Sequence, residues 1–219
     1  MLSEKEITVW ACQIPEAISE GLVNKALRRL PEFHQSYISS FKKRDDQLTR
    51  LTGRLLWRKV LLENDLPFSA FEHPTFGPHG KPMEVGFGLN ISHSADLVLM
   101  AFSGQQAIGV DVERIRKVDI PSFTKQFSKC EIASIVGRED TEAAFFEAWT
   151  RKESVVKALG KGLTKKLIEI EADDHGCFEI DQVIWHTQSV AVPEGFKAHL
   201  ATTMLCTQNY QTIDFRELV

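Results

Sequence analysis

Phe145-Phe146-Glu147-Ala148-Trp149-Thr150-Arg151-Lys152-Glu153-Ser154-Val155-Val156-Lys157-Ala158-Leu159-Gly160-Lys161-Gly162-Leu163 reads as one helix with a glycine stop just beyond its last good helical residue. Trp149, Glu153 and Lys157 recur every four residues and so share a face. Phe145, Phe146, Val155, Val156 and Leu159 supply apolar contacts around that row. By itself a Glu–Lys pair is ordinary helix decoration. The rest of the chain gives it a different meaning.

Upstream, Asn90-Ile91-Ser92-His93-Ser94 leads into the apolar run Leu97–Phe102. A turn at Ser103-Gly104-Gln105-Gln106 then opens Ala107-Ile108-Gly109-Val110-Asp111-Val112-Glu113-Arg114. The pattern predicts a β-hairpin between the last two runs. Period-two alternation puts Asp111 and Glu113 on one face of their strand, with Val110 and Val112 opposite. Two neighbouring carboxylates repel unless a cation or a shared proton relieves them.

If that strand packs on the helix, Asp111, Glu113 and Glu153 become three hard oxygen donors able to converge on one cation. Oxygen-only ligation with room for phosphate is how Mg²⁺ is held. Lys157 lies one turn beyond Glu153. His93 could hold further phosphate groups, as could Lys81, which Pro82 biases toward extended chain, and an arginine of the row Arg50, Arg54 and Arg58. For the arginine row a solvated basic face is the more common explanation. The whole set points to a diphosphate ligand and metal-assisted attack on phosphorus.

Elsewhere the patterns predict a strand at Ile7–Cys12 and a helix at Ile18–Leu30. A long helix follows at Lys43–Glu63, with Leu48, Leu51, Leu55 and Leu62 as its apolar stripe. The segment from Pro67 to Gly88 is broken by prolines and glycines. After the basic loop Arg114-Ile115-Arg116-Lys117, a helix is expected from Pro121 through Ser134, and the tail alternates as a small antiparallel sheet. Each half thus carries a long helix and a run of strands, dividing the chain into 1–104 and 105–219.

The totals set limits. The chain has 219 residues, 43% of them hydrophobic and 26% charged, with a formal net charge of −4. That balance gives no reason to expect nucleic-acid binding, so any anion must meet a local cluster of cations. Cys12, Cys130, Cys177 and Cys206 are scattered without a Cys-x-x-Cys pair, which suits a reducing compartment. No apolar run is long enough for a signal peptide or a membrane span. A cytoplasmic protein is the expectation.

The blocks Gly80-Lys81-Pro82, Asn90–Ser94, Ile108–Glu113 and Trp149–Ala158, in this order and spacing, resemble the 4′-phosphopantetheinyl transferase superfamily. The larger, monomeric branch, whose best-known member serves surfactin synthetase, fits best. The motif-bearing core runs from about residue 80 to 163. The resemblance implies an α+β fold of two similar α/β halves related by a pseudo-twofold axis. Coenzyme A would lie in the cleft between them, the first half contacting it and the second carrying the Mg²⁺ site and the carrier-protein dock. It implies transfer of the phosphopantetheine arm of coenzyme A to a serine of an apo acyl carrier protein, or of a carrier domain from a fatty-acid, polyketide or nonribosomal peptide synthase. Adenosine 3′,5′-bisphosphate would be released.

Carried over, Asp111, Glu113 and Glu153 are the Mg²⁺ ligands, and Lys157 neutralises the diphosphate. Lys81 contacts the coenzyme near its adenosine part, and Ser92 and His93 contact its 3′-phosphate. Glu153 takes the serine proton, directly or through a water. Arg50 and Arg54 stand in for cations that relatives place where this chain has His34-Gln35-Ser36-Tyr37, and Phe76 stands where some relatives offer an arginine. Arg114, Arg116, Lys117, Lys125 and Lys129 form a candidate dock for an acidic carrier.

Two other classes remain: a non-catalytic binder of carrier protein or coenzyme, and a Mg²⁺-dependent diphosphate hydrolase. A Ser92–His93–Asp111 triad is excluded, because adjacent strand residues point to opposite faces and the nucleophile elbow is missing. Gly160-Lys161-Gly162 lacks the spacing of a P-loop.

Overall fold

The computed structural model describes residues 5–74, 86–104, 107–160 and 177–219. Strand β1 (Glu6–Gln13) is followed by helices α1 (Glu20–Leu27), α2 (Glu32–Ser39) and α3 (Arg44–Glu63) and the single turn α4 (Ser69–Glu72). Strands β2 (Gly88–Ser94), β3 (Leu97–Ser103) and β4 (Ile108–Arg114) come next. Helices α5 (Lys129–Val136) and α6 (Thr141–Leu159) lead to β5 (Cys177–Ile180), β6 (Val183–Ser189), β7 (Phe196–Thr202) and β8 (Thr207–Thr212). The fold is α+β.

The strands form two four-stranded sheets, ordered β2-β3-β1-β8 and β4-β7-β6-β5. Leu97–Phe102 does not pair with β4, contrary to the expected hairpin. It pairs antiparallel with β2 through the tight turn Ala95-Asp96, where Ala95 has φ +51°, and antiparallel with β1 on its other side. Both edges of β3 are thereby used, and β4 must open a second sheet by pairing with β7. The C-terminal β8 returns to run parallel to β1.

Every residue of β3 is buried, which explains its unbroken apolar run. Val98, Met100 and Phe102 pack beneath α3, while Leu97, Leu99 and Ala101 meet Val110, Val112, Ala198 and Leu200 of the second sheet. On the far face of that sheet, Val155, Val156 and Ala158 of α6 meet Phe178, Trp185 and Ala201. The layers therefore run α3, first sheet, second sheet, α6.

Helix α3 starts where expected, but Leu62 of the anticipated stripe is 49% exposed and Leu56, Trp57, Val60 and Leu61 fill the core instead. The helix expected from Pro121 is a 3₁₀ turn over Ile120–Ser122. The regular helix begins only at Lys129, after the capping box of Ser128 and Glu131. Helix α6 is capped by Asp140, whose carboxylate accepts the Ala143 N–H, and ends at Gly160 with φ +65°.

His34 is a core residue. Its Nε2 lies 2.7 Å from the Phe71 carbonyl and its ring packs against Phe71 and Trp57. Burial pulls its pKa down to about 4, so it folds neutral while the unfolded chain binds the proton near 6.5. Stability from this group is complete above pH 6.5 and is lost as pH falls toward 4, by roughly 3 kcal/mol. His34→Gln keeps a donor for Phe71, and its melting temperature should vary less steeply over that window. An unchanged slope would overturn the assignment.

Candidate active site

The site forms where β2 meets β4, edge strands of the two sheets, and α6 packs on β4. Gly109 lets α6 come this close: a Cβ there would sit 2.0 Å from the Ser154 carbonyl oxygen and 2.4 Å from the Ala158 amide nitrogen. Glu153 and Lys157 are thereby held over the carboxylate face of β4.

Asp111 is buried, and its Oδ1 accepts from Lys157 Nζ at 2.6 Å and from Ser92 Oγ at 3.0 Å. Its Oδ2 is buried without a hydrogen-bond partner among the described residues. Burial raises the Asp111 pKa despite the adjacent ammonium. Glu153 is pushed up to about 6, chiefly by burial and then by Asp111, with Glu113 adding to the rise and Lys157 opposing it. Among the described residues Lys157 meets Asp111 and Arg116 meets Glu113, two cations for three carboxylates. Among the described residues no three His, Cys, Asp or Glu side chains are already gathered around an ion position; Lys157 satisfies Asp111 instead. An orphaned carboxylate oxygen beside desolvated oxygen donors fits a hard divalent cation.

The opposite wall is basic. Arg50 donates to His93 Nε2. A guanidinium has only donors, so this imidazole carries its proton on Nδ1. Burial, then Arg50 and Lys157, lowers the His93 pKa to about 4. Arg50 also lies over Phe41, whereas Arg54 lies over Tyr37 and Trp57. The structure thus brings Arg50 to His93 but turns Arg54 onto aromatic faces. Lys81 and Phe76 fall outside the described residues.

Ser92 is buried and fully engaged. It donates to Asp111 and accepts from the Val112 N–H at 3.2 Å and from Lys157 at 2.7 Å. It faces the carboxylates, while His93 faces Arg50. Lys152, close to Lys157 in sequence, is on another face: buried beside Glu131, it ties α5 to α6. Arg116 pairs with Glu113 at 2.9 Å and Arg114 with Asp96 at 3.5 Å, so the basic loop is partly used internally.

Sequence reasoning did not anticipate the seam between β2 and β4. Its signal was present in the phase match of Asn90-x-Ser92-x-Ser94 with Val110-x-Val112-x-Arg114.

A family profile described as the 4′-phosphopantetheinyl transferase superfamily matches residues 107–205, which include β4 and α6. The chain is 31% identical over 149 residues to 4′-phosphopantetheinyl transferase AcpT of Salmonella typhimurium, covering 65% of this chain and 73% of that protein. The chain belongs to the 4′-phosphopantetheinyl transferase superfamily.

Two other transferases match over less of their length. The chain is 29% identical over 160 residues to gsp of Aneurinibacillus migulanus, covering 69% of this chain and 65% of that one. It is 31% identical over 138 residues to Sfp of Bacillus subtilis, covering 58% of each. The matched stretch is thus under two thirds of the length of these two relatives. Among the described residues no helix is long and apolar enough to cross a membrane.

Proposed function

We propose that this chain is a 4′-phosphopantetheinyl transferase that moves the phosphopantetheine arm of coenzyme A to a serine of an apo acyl or peptidyl carrier protein. The observation that carries this reading is the buried, unpartnered Asp111 Oδ2 beside Lys157 and a desolvated Glu153, within a chain of this superfamily.

In the reaction the carrier serine oxygen bonds to the phosphorus bearing the pantetheine. The bond from that phosphorus to the adenosine 3′,5′-bisphosphate oxygen breaks, and the serine proton passes to Glu153. The proton reaches Glu153 directly or through a water, since a carboxylate that also holds a cation is a weak base. Asp111, Glu113 and Glu153 would hold Mg²⁺, which when bound supplies positive charge to the diphosphate. Lys157 adds an ammonium on the same side, Arg50 with His93 meets the 3′-phosphate, and Lys81 contacts the coenzyme near its adenosine part. Ser92 contributes by holding Lys157 and Asp111 in register.

The pseudo-twofold relation of the two halves, 1–104 and 105–219, is part of the same reading. It is supported by one long helix, α3 or α6, packed on each four-stranded sheet, with β8 of the second half completing the first sheet. A monomer completes its own cleft, in the cytoplasm, with coenzyme A between the halves. The carrier docks against Arg114, Arg116, Lys117, Lys125 and Lys129.

Intact-mass spectrometry tests the proposal. An apo carrier protein incubated with this chain, coenzyme A and Mg²⁺ should gain the mass of one phosphopantetheine group, and EDTA should abolish the gain. Coenzyme binding without any mass change across carrier classes would leave a binder. Free phosphopantetheine in place of modified carrier would identify a hydrolase.

A further inference from the structure

Three side chains of β2 satisfy backbone N–H groups of β4 at a constant offset of 20 residues. Val110 donates to Asn90 Oδ1 at 2.9 Å, Val112 to Ser92 Oγ at 3.2 Å and Arg114 to Ser94 Oγ at 3.1 Å. The two edge strands are thus joined by side chains where a backbone ladder would otherwise run. Two of the three rungs also hold an acid: Ser92 donates to Asp111, and Ser94 donates to Glu113 Oε2 at 2.8 Å. The residue in the corresponding phase below Asn90 is Gly109, which has no side chain.

The serines therefore lock the two strand carboxylates to the backbone that carries them. At Asp111, Lys157 shares this work. At Glu113 the competing partner is Arg116, whose side chain is 56% exposed and bonds the same oxygen from the solvent side. Glutamate has one more rotatable bond than aspartate, so Glu113 depends more on an inner clamp.

We infer that Ser94 is a positioning residue. By donating to Glu113 from the protein side, it holds this carboxylate toward Asp111 and thereby sets the affinity of the site for a divalent cation. The inference rests on the reading of Asp111, Glu113 and Glu153 as metal donors.

The test is titration with Mn²⁺ followed by electron paramagnetic resonance, on wild type, Ser94→Ala, Ser94→Thr and Asn90→Ala, alongside melting temperatures. Partners that orient a metal's ligands commonly change affinity by about 10- to 100-fold. Ser94→Ala should weaken Mn²⁺ binding about tenfold, and Ser94→Thr, which keeps the hydroxyl, should stay within about twofold of wild type. Asn90→Ala removes a seam bond that holds no acid, so it should lower the melting temperature and leave Mn²⁺ affinity unchanged. Wild-type affinity in Ser94→Ala, or an equal loss in Asn90→Ala, would overturn the role while leaving the metal site standing. Failure of wild type itself to bind Mn²⁺, with or without coenzyme A, would overturn the metal site and this role together.

Discussion

Asp111→Ala is expected to lower carrier modification about a thousandfold, equivalent to roughly 4 kcal/mol of transition-state stabilisation. Its two oxygens do different things. Oδ1 holds Lys157 and Ser92 in place, and Oδ2 is a buried acceptor with no hydrogen-bond partner among the described residues. On the proposed reading, removing both takes away a metal donor and releases the lysine assigned to the diphosphate. Stability should change little by comparison, because burial already works against this carboxylate and Lys157 retains Ser92 as an acceptor. The expected signature is a large loss of turnover with a melting temperature within a few degrees of wild type. Rates from intact-mass time courses together with a melting curve measure it, and full activity in the variant would remove the metal-site assignment.

Gly109→Ala is expected to be the most damaging single methyl added to this chain. The new Cβ would meet backbone atoms of α6 at 2.0 and 2.4 Å, and no rotamer change can move a helix backbone aside. The helix must retreat from β4 by roughly 1.5 Å, the shortfall from ordinary contact distances, taking Glu153 and Lys157 with it. Overpacking of this kind costs about 3 kcal/mol or more, which lowers the melting temperature by about 6–12 °C in a chain of this size. Activity should fall at least a hundredfold even where the variant is folded, because misplacement of catalytic groups by about 1 Å has that effect. Gly53→Ala is the matched control. Its Cβ would meet only the Ile91 side chain, at 3.3 Å, and alanine is the better helix former, so stability should change by less than about 1 kcal/mol. Similar melting curves for the two variants would refute the close approach at Gly109.

Much of the site could be read from local spacing. Alternation along β4 put Asp111 and Glu113 on the face opposite Val110 and Val112, and four-residue spacing put Glu153 and Lys157 in one row. Both are properties of a single element's geometry and hold wherever that element goes. The glycine stop after Leu159 was legible for the same reason, since Gly160 adopts the left-handed conformation that ends α6.

The expected hairpin between β3 and β4 was not formed, because a strand has two edges and the pattern of residues does not say which neighbour takes each. Here the tight turn at Ala95-Asp96 gives one edge of β3 to β2, and β1, distant in sequence, takes the other. The fates of Lys152 and Lys157 also lay beyond local spacing. Both read as cations on one helix, yet one is buried against Glu131 of α5 and the other reaches Asp111. The sequence by itself determined the helix, the carboxylate strand and the residue types that suit a phosphate and a cation. Only the tertiary structure decided which strand edges meet, that β2 side chains bridge to β4, and that Gly109 admits α6. Those outcomes depend on contacts between segments far apart in the chain, and local periodicity carries no information about them.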